Sequence, residues 1–201
     1  MINTVNATVL SGGSAFGLDT ASGVVRCLVK KNIGFETRDR RIPIVSAAVL
    51  YDLSVGNNPF IVPDADLGYS ACMTATNSRV SEGVGSTSLT VRNSTMNITV
   101  TVGVLVAVNA LGDIYKNGVL LAGARTSNRR HLLNTVNHLL GIDFNSINNV
   151  SAGTTTTIGC IVTDATLTKA QAKNVSQMAN DRYARAINPI HTMFDGDTIF
   201  T

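Results

Sequence analysis

Val5-Asn6-Ala7-Thr8-Val9-Leu10-Ser11-Gly12-Gly13-Ser14-Ala15-Phe16-Gly17-Leu18-Asp19 sets the pattern for the whole chain. Thr8-Val9-Leu10 is short and apolar and predicts a buried strand, which Ser11-Gly12-Gly13 ends. From Ala15 to Val29, Phe16, Leu18, Val24 and Leu28 are spaced roughly as on one face of a helix, and Lys30-Lys31 closes it. A strand that turns through glycines into a helix is a unit of layered sheet-and-helix folds.

The same alternation continues outward. Ile42 to Leu50 is apolar, Asn57-Asn58-Pro59 signals a loop, and Tyr69 to Ala75 predicts a short helix. Gly83 and Gly85 mark a turn before Leu89-Thr90-Val91. Ile98 to Val108 is the strongest strand signal, and Asp113 to Leu121 folds back through Lys116-Asn117-Gly118, so a hairpin is expected there. Arg129 to Leu140 predicts a helix and Thr156 to Thr163 a β-branched strand. Thr168 is placed to N-cap a helix over Lys169–Ile187, and Ile199-Phe200 ends the pattern as a strand. No repeat and no long linker divides the 201 residues, so a single domain 1–201 of α/β or α+β class is expected.

Composition narrows the function. Hydrophobic residues make up 44% and charged residues 14%, which fits a well-buried globule rather than a disordered chain. With aromatics at 5%, Ala, Val, Ile, Leu and Gly must fill the core, which suits closely packed layers. The net charge of +3 and the short clusters Arg38-Asp39-Arg40-Arg41 and Arg129-Arg130-His131 lack a basic stripe with stacking aromatics. A nucleic-acid partner is therefore not expected. Val100–Leu111 is too short and too interrupted to span a bilayer, so no membrane association is expected either. Cys27, Cys72 and Cys160 show no metal-ligand spacing and read as buried thiols in a reducing compartment, hence a cytoplasmic protein. No cofactor or metal is called for.

Three stretches carry chemistry. Gly12-Gly13-Ser14-Ala15-Phe16-Gly17 fits neither a nucleophile elbow, since Phe16 stands where glycine is needed, nor a dinucleotide loop, since Ser14 replaces the central glycine. It reads as a tight turn forming a pocket wall. Thr154-Thr155-Thr156-Thr157 follows Ser151-Ala152-Gly153 and precedes a strand. A threonine hydroxyl needs a base, and one economical base is its own α-amine, freed when the chain is cut just before it. A threonine-rich strand start is the structural alternative. Asp195-Gly196-Asp197 sets two carboxylates on one face of an extended segment, placed to orient an ammonium or a hydroxyl or to relay a proton. An Asp-Gly turn is the alternative there. His191 reads as an anchor of that loop rather than a base, and His131 and His138, on one expected helix, lack the spacing of a metal pair.

Taken together, these blocks resemble the DmpA-type self-processing aminopeptidases, a family that includes the nylon-oligomer hydrolases. The resemblance runs from the stretch Val5–Asp19 through Pro43–Leu53, Val104–Asp113, Thr156-Thr157-Ile158-Gly159, Thr163-Asp164-Ala165 and Leu167–Lys173 to His191–Thr198. It implies an αββα sandwich, self-cleavage into two associated chains, and amide hydrolysis by the newborn N-terminal residue. Thr156 then aligns with the nucleophile and Thr155–Thr156 with the cleaved bond. Asp195 and Asp197 align with the assisting residues, and Asn109 with the side-chain amide that stabilises the oxyanion. Phe16 aligns with an aromatic beside the substrate pocket, and Arg92 stands in for a lysine of the family. The chain departs from the pattern in having Thr155 where Asn or Gly is common, and in lacking segments that relatives carry at both ends. Such a shortened sandwich leaves sheet edges for a partner to cover, and a homo-oligomer is expected. The expected substrates are small peptides or related amides. The competing readings are an uncleaved, truncated or degenerate relative, either inactive or serving as an assembly subunit, and a nucleotide-binding protein using Gly12–Gly17.

Overall fold

The computed structural model describes residues 4–75, 84–95, 97–141 and 155–201. The opening stretch folds as its pattern predicts. Strand β1 (Ala7–Ser11) runs into a 3-10 turn at Ser14–Leu18 and then helix α1 (Asp19–Lys30). Phe35–Glu36 (β2) and Arg41–Ile42 (β3) form a small antiparallel pair, and β4 (Val45–Val49) returns parallel to β1. Helix α2 (Ala65–Thr74) begins four residues before the expected start at Tyr69, because the Asp64 carboxylate accepts the Leu67 N–H and caps it.

Strands β5 (Val84–Asn93) and β6 (Ile98–Asn109) make a long hairpin, so Leu89-Thr90-Val91 is the middle of a strand rather than a short one. Of the two predicted turn glycines, Gly85 lies within β5, while Gly83 lies outside the described residues. The predicted Lys116-Asn117-Gly118 turn joins β7 (Asp113–Lys116) to β8 (Val119–Ala122), with Asn117 and Gly118 both at positive φ. Helix α3 covers only Thr135–Leu140, not Arg129–Leu140. Arg129 and Asn134 sit at φ 57° and 56°, and a turn closed by Thr126 occupies the preceding residues. His131 is therefore not on a helix. Strand β9 (Thr156–Thr163) and helix α4 (Lys169–Ala186) match expectation, the latter with a reciprocal Thr168–Gln171 capping box. Short strands β10 (Ile187–Asn188) and β11 (Thr198–Phe200) complete the described elements.

The layers follow from these pairings. β11, β9, β6 and β5 form a four-stranded sheet in that order, and β10, β7 and β8 a three-stranded one. The β1–β4 pair packs on β9, with Ala48, Ala107 and Ile158 buried between them and Leu10, Leu50 and Phe200 packed around. Ala107 and Ile158 are directly paired, so one face of β6 and β9 meets β4 through a small side chain on each sheet. Helix α1 covers β1 and β4, while α4 lies against β11 and β7.

Helices α1 and α2 cross at glycines: a Cβ on Gly23 would strike the Ala65 carbonyl, and one on Gly68 the Thr20 carbonyl. That close approach brings Cys27 and Cys72 together as a disulfide, with Cα atoms 6.3 Å apart. The reading of three thiols is thus corrected, since only Cys160 is a free cysteine. A pairing between residues forty-five positions apart depends on the helix crossing, which spacing does not reveal. With it goes the thiol count as an argument for a reducing compartment. Among the described residues no helix is long and apolar enough to cross a membrane.

Candidate active site

Sheet register assembles the site. Asn109, the last residue of β6, pairs directly with Thr156, the first of β9, so two residues forty-seven positions apart in sequence stand side by side. On the other edge of β9, β11 runs parallel with Thr198 opposite Ile158. The same offset of forty residues continues past the strand end, where Thr155 bridges to Asp195. The acidic turn is therefore an extension of the ladder, and it delivers Asp195, Gly196 and Asp197 alongside the threonine run.

The contacts there are short and directional. Thr156 is 5% exposed, and its hydroxyl donates to the Thr155 carbonyl at 2.6 Å. That carbonyl also accepts the Gly196 N–H at 3.0 Å, while the Thr155 hydroxyl donates to the Phe194 carbonyl at 2.9 Å. Asp197, with a side chain 4% exposed, accepts the Thr157 N–H at 2.7 Å, and its second oxygen lies 2.8 Å from His191 Nδ1. His191 thus anchors the loop through Asp197. Asp195 accepts both the N–H and the hydroxyl of Thr192, at 2.8 and 2.7 Å. Burial would raise the Asp195 pKa, but the hydrogen bonds it accepts from the Thr192 hydroxyl and N–H outweigh it, and the net direction is down. Tyr183 packs behind the site near His191, and burial together with the Asp197 charge pushes its pKa up to about 12, which keeps the phenol protonated.

The glycine-rich turn forms the neighbouring wall. Gly13 N–H donates to Asp52 Oδ1 at 2.6 Å and Ser14 N–H to the Leu50 carbonyl at 3.0 Å, tying the turn to the segment after β4. From that segment the Tyr51 carbonyl accepts Asn109 Nδ2 at 2.6 Å, which connects the turn to the strand pair carrying Thr156. Phe16 projects from this turn, 66% exposed.

Arg92 is not brought to the site. It pairs with Thr99 near the tip of the β5–β6 hairpin, ten residues along β6 from Asn109, a separation of roughly 30 Å at strand rise. Its guanidinium lies 3.4 Å from the Asn97 side-chain oxygen. Equating it with a family lysine depended on sequence order, whereas the hairpin register decides its place. A cavity of about 820 Å³ opens at the other end of β9, between Asn6, Thr8, Cys160, Val162 and Thr168, and none of Asn109, Thr155, Thr156, Thr157, Asp195 and Asp197 lines it. Cys160 is a poor nucleophile there, because burial raises its pKa more than a hydrogen bond from Thr8 lowers it. No group of three or more potential metal ligands occurs among the described residues.

The chain matches the sequence pattern of Peptidase family S58 over residues 2–201. It belongs to Peptidase family S58. Within reach of this family, the chain is 34% identical to an uncharacterized aminopeptidase of Mycobacterium leprae, across 99% of this chain and 60% of that protein. It is 36% identical to an uncharacterized aminopeptidase of Mycobacterium tuberculosis, across 99% of this chain and 62% of that one. A 6-aminohexanoate-oligomer endohydrolase of Agromyces is 26% identical across 97% of this chain and 59% of its own length. The chain therefore spans about three fifths of the length of these relatives. The family membership agrees with the resemblance drawn from the sequence.

Proposed function

We propose that the chain is a self-processing amidohydrolase of the aminopeptidase type, in which Thr156 is the nucleophile and the Thr155–Thr156 bond the one it cuts. The observation that carries this reading is the Thr156 hydroxyl held 2.6 Å from the Thr155 carbonyl oxygen, with Asn109 paired beside it and the Asp195–Asp197 turn on the opposite edge. Once the bond is cut, the Thr156 α-amine has a reference pKa of about 7.7–8.0 and serves as the base for its own hydroxyl. Asp197 positions the strand through the Thr157 N–H, and Asp195 stays ionised beside the new ammonium. Asn109, fixed by Tyr51, supplies an amide donor to the oxyanion of an incoming acyl group. Phe16 stands at the exposed rim as an apolar contact for substrate.

Helices α1 and α2, the β1–β4 pair, the four-stranded sheet and α4 read as the four layers of an αββα sandwich. The substrates proposed are small peptides or related amides, because the relatives bear the names aminopeptidase and oligomer endohydrolase. A cytoplasmic homo-oligomer is part of the same proposal, and native mass measurement tests the oligomer. Intact-mass measurement of the purified chain tests the chemistry. Fragments 1–155 and 156–201 are expected, with a single mass for Thr156→Ala. A single wild-type mass overturns this reading in favour of an uncleaved relative.

A further inference from the structure

We infer that the backbone N–H of Gly196 is the oxyanion donor for self-cleavage, and that the Thr155 side chain locks the scissile bond onto it. This rests on the self-cleavage reading above and adds the group that carries the developing charge.

Three residues of the acidic turn, Phe194, Gly196 and Asp197, hold Thr155 and Thr157 on either side of Thr156. Ahead of it, Thr155 is held twice, its hydroxyl by the Phe194 carbonyl and its own carbonyl by Gly196 N–H. Behind it, Thr157 N–H is held by Asp197. Because Thr155 bridges Asp195 in parallel, the Gly196 N–H points at the Thr155 oxygen as a ladder hydrogen bond would. A donor preset by a sheet needs no reorganisation when negative charge grows on that oxygen.

The ground state shows the carbonyl with two donors, Gly196 N–H and the Thr156 hydroxyl. For reaction the hydroxyl must turn from the oxygen to the Thr155 carbonyl carbon. A new C–O bond then forms from Thr156 Oγ1, the C–N bond breaks, and the hydroxyl proton ends on the Thr156 nitrogen. Water next opens the ester, leaving the Thr155 carboxylate and the free Thr156 amine and hydroxyl. During the attack the hydroxyl no longer donates to the carbonyl, so of the two only Gly196 still holds the oxyanion. Asn109, paired with Thr156 and bonded to the Tyr51 carbonyl, is suited to the later, intermolecular reaction.

Two details of this sequence fit that role. A Cβ on residue 196 would lie 3.1 Å from Thr156 Oγ1, crowding the atom that must move. The hydroxyl of Thr155 supplies a hydrogen bond to the Phe194 carbonyl that fixes the direction of its own carbonyl.

The test is the rate of appearance of fragment 156–201 in freshly synthesised protein, followed by mass spectrometry. Gly196→Pro removes the N–H and is expected to slow cleavage about 100-fold or more, well beyond Gly196→Ala, which adds the same Cβ but keeps the N–H. Thr155→Val keeps the shape but loses the hydroxyl, slowing it about two- to tenfold, and Thr155→Ser restores the rate. Melting of each variant in a Thr156→Ala background checks that it folds. If Gly196→Pro fails that check, Thr155→Val and Thr155→Ser decide. Folded Gly196→Pro protein that cleaves within about threefold of wild type, or Thr155→Val that matches wild type, overturns the assignment. A wild-type chain that never cleaves is a different result: it removes the self-cleavage reading itself, and this assignment with it.

Discussion

Replacing Asp197 separates its role as a hydrogen-bond acceptor from its role as a charge. Its side chain is 4% exposed, one oxygen accepts the N–H of fully buried Thr157, and the other faces His191 Nδ1. Asp197→Ala strands that N–H in a place where water does not replace the partner, which costs about 1–3 kcal/mol. Loss of the His191 contact and the small void add about 1 kcal/mol more, for a total of about 2–4 kcal/mol. Asp197→Asn keeps a carbonyl oxygen for Thr157 and an amide for the imidazole, and is expected to cost about 1 kcal/mol or less. Urea unfolding is the assay, in a Thr156→Ala background so that every sample is one uncut chain. At a slope of about 2 kcal/mol per molar, the alanine variant moves the midpoint down by about 1–2 M and the asparagine variant by about 0.5 M or less. An alanine variant within about 0.5 kcal/mol of its parent refutes the acceptor argument. Equal losses for the two variants assign the stabilisation to the charge instead.

Acid sensitivity follows from Asp195. Its folded pKa is depressed, so its contribution is present above the unfolded value of about 3.9 and is lost as pH falls through the lower folded value. Urea midpoints measured below pH ~4 are expected to decline less steeply for Asp195→Asn than for its parent, and parallel declines reject this. For the cystine, Ellman titration of the denatured, unreduced chain is expected to find one thiol, Cys160; three would reject the Cys27–Cys72 bridge. A double substitution checks the packing of α4 on β9, because a Cβ on Gly159 would collide with the Tyr183 hydroxyl while its ring carbon stays 3.6 Å away. Gly159→Ala alone is expected to lose about 1–3 kcal/mol and Tyr183→Phe to be nearly neutral, since that hydroxyl has no hydrogen-bond partner among the described residues. Adding Tyr183→Phe should recover most of the loss, and simple additivity of the two would contradict the contact.

What the sequence made readable was local. Alternating and helical spacing located β1, α1, β6, β9 and α4, and Thr168 announced its own helix, because propensity, cap and burial all agree at those places. Where one local rule competed with another, the reading failed. The segment from Arg129 looked helical by spacing, yet Asn134 at positive φ caps a helix that starts only at Thr135, six residues later. Long-range features were legible only through the family resemblance. No spacing rule pairs Asn109 with Thr156, and that register comes from the ladder between β6 and β9. The same kind of information moved Arg92 away from the site, by showing that it belongs to a hairpin tip. The backbone donor Gly196 had no sequence signal beyond lying between two aspartates, since an N–H is common to every residue but proline.

The burial that makes the threonine run hard to read also constrains how its bond can be cut. Thr156 is 5% exposed and Thr157 fully buried, with hydrogen bonds on both sides of the bond. A protease acting from outside would have to open this ladder first, whereas the Thr156 hydroxyl already stands against the carbonyl. A clean break at Thr155–Thr156 in folded protein would therefore mark an internal nucleophile. The cut would also leave the sheet intact, because Thr156 begins β9, and all of β9 remains paired with β6 from Asn109–Thr156 to Val102–Thr163. Fragment 156–201 carries α4 and β11 as well, which lie against the same sheet. Cutting the chain there frees an amine at the start of a strand without releasing the strand, which is the condition for a terminal threonine to remain aligned with Asn109 and Asp197.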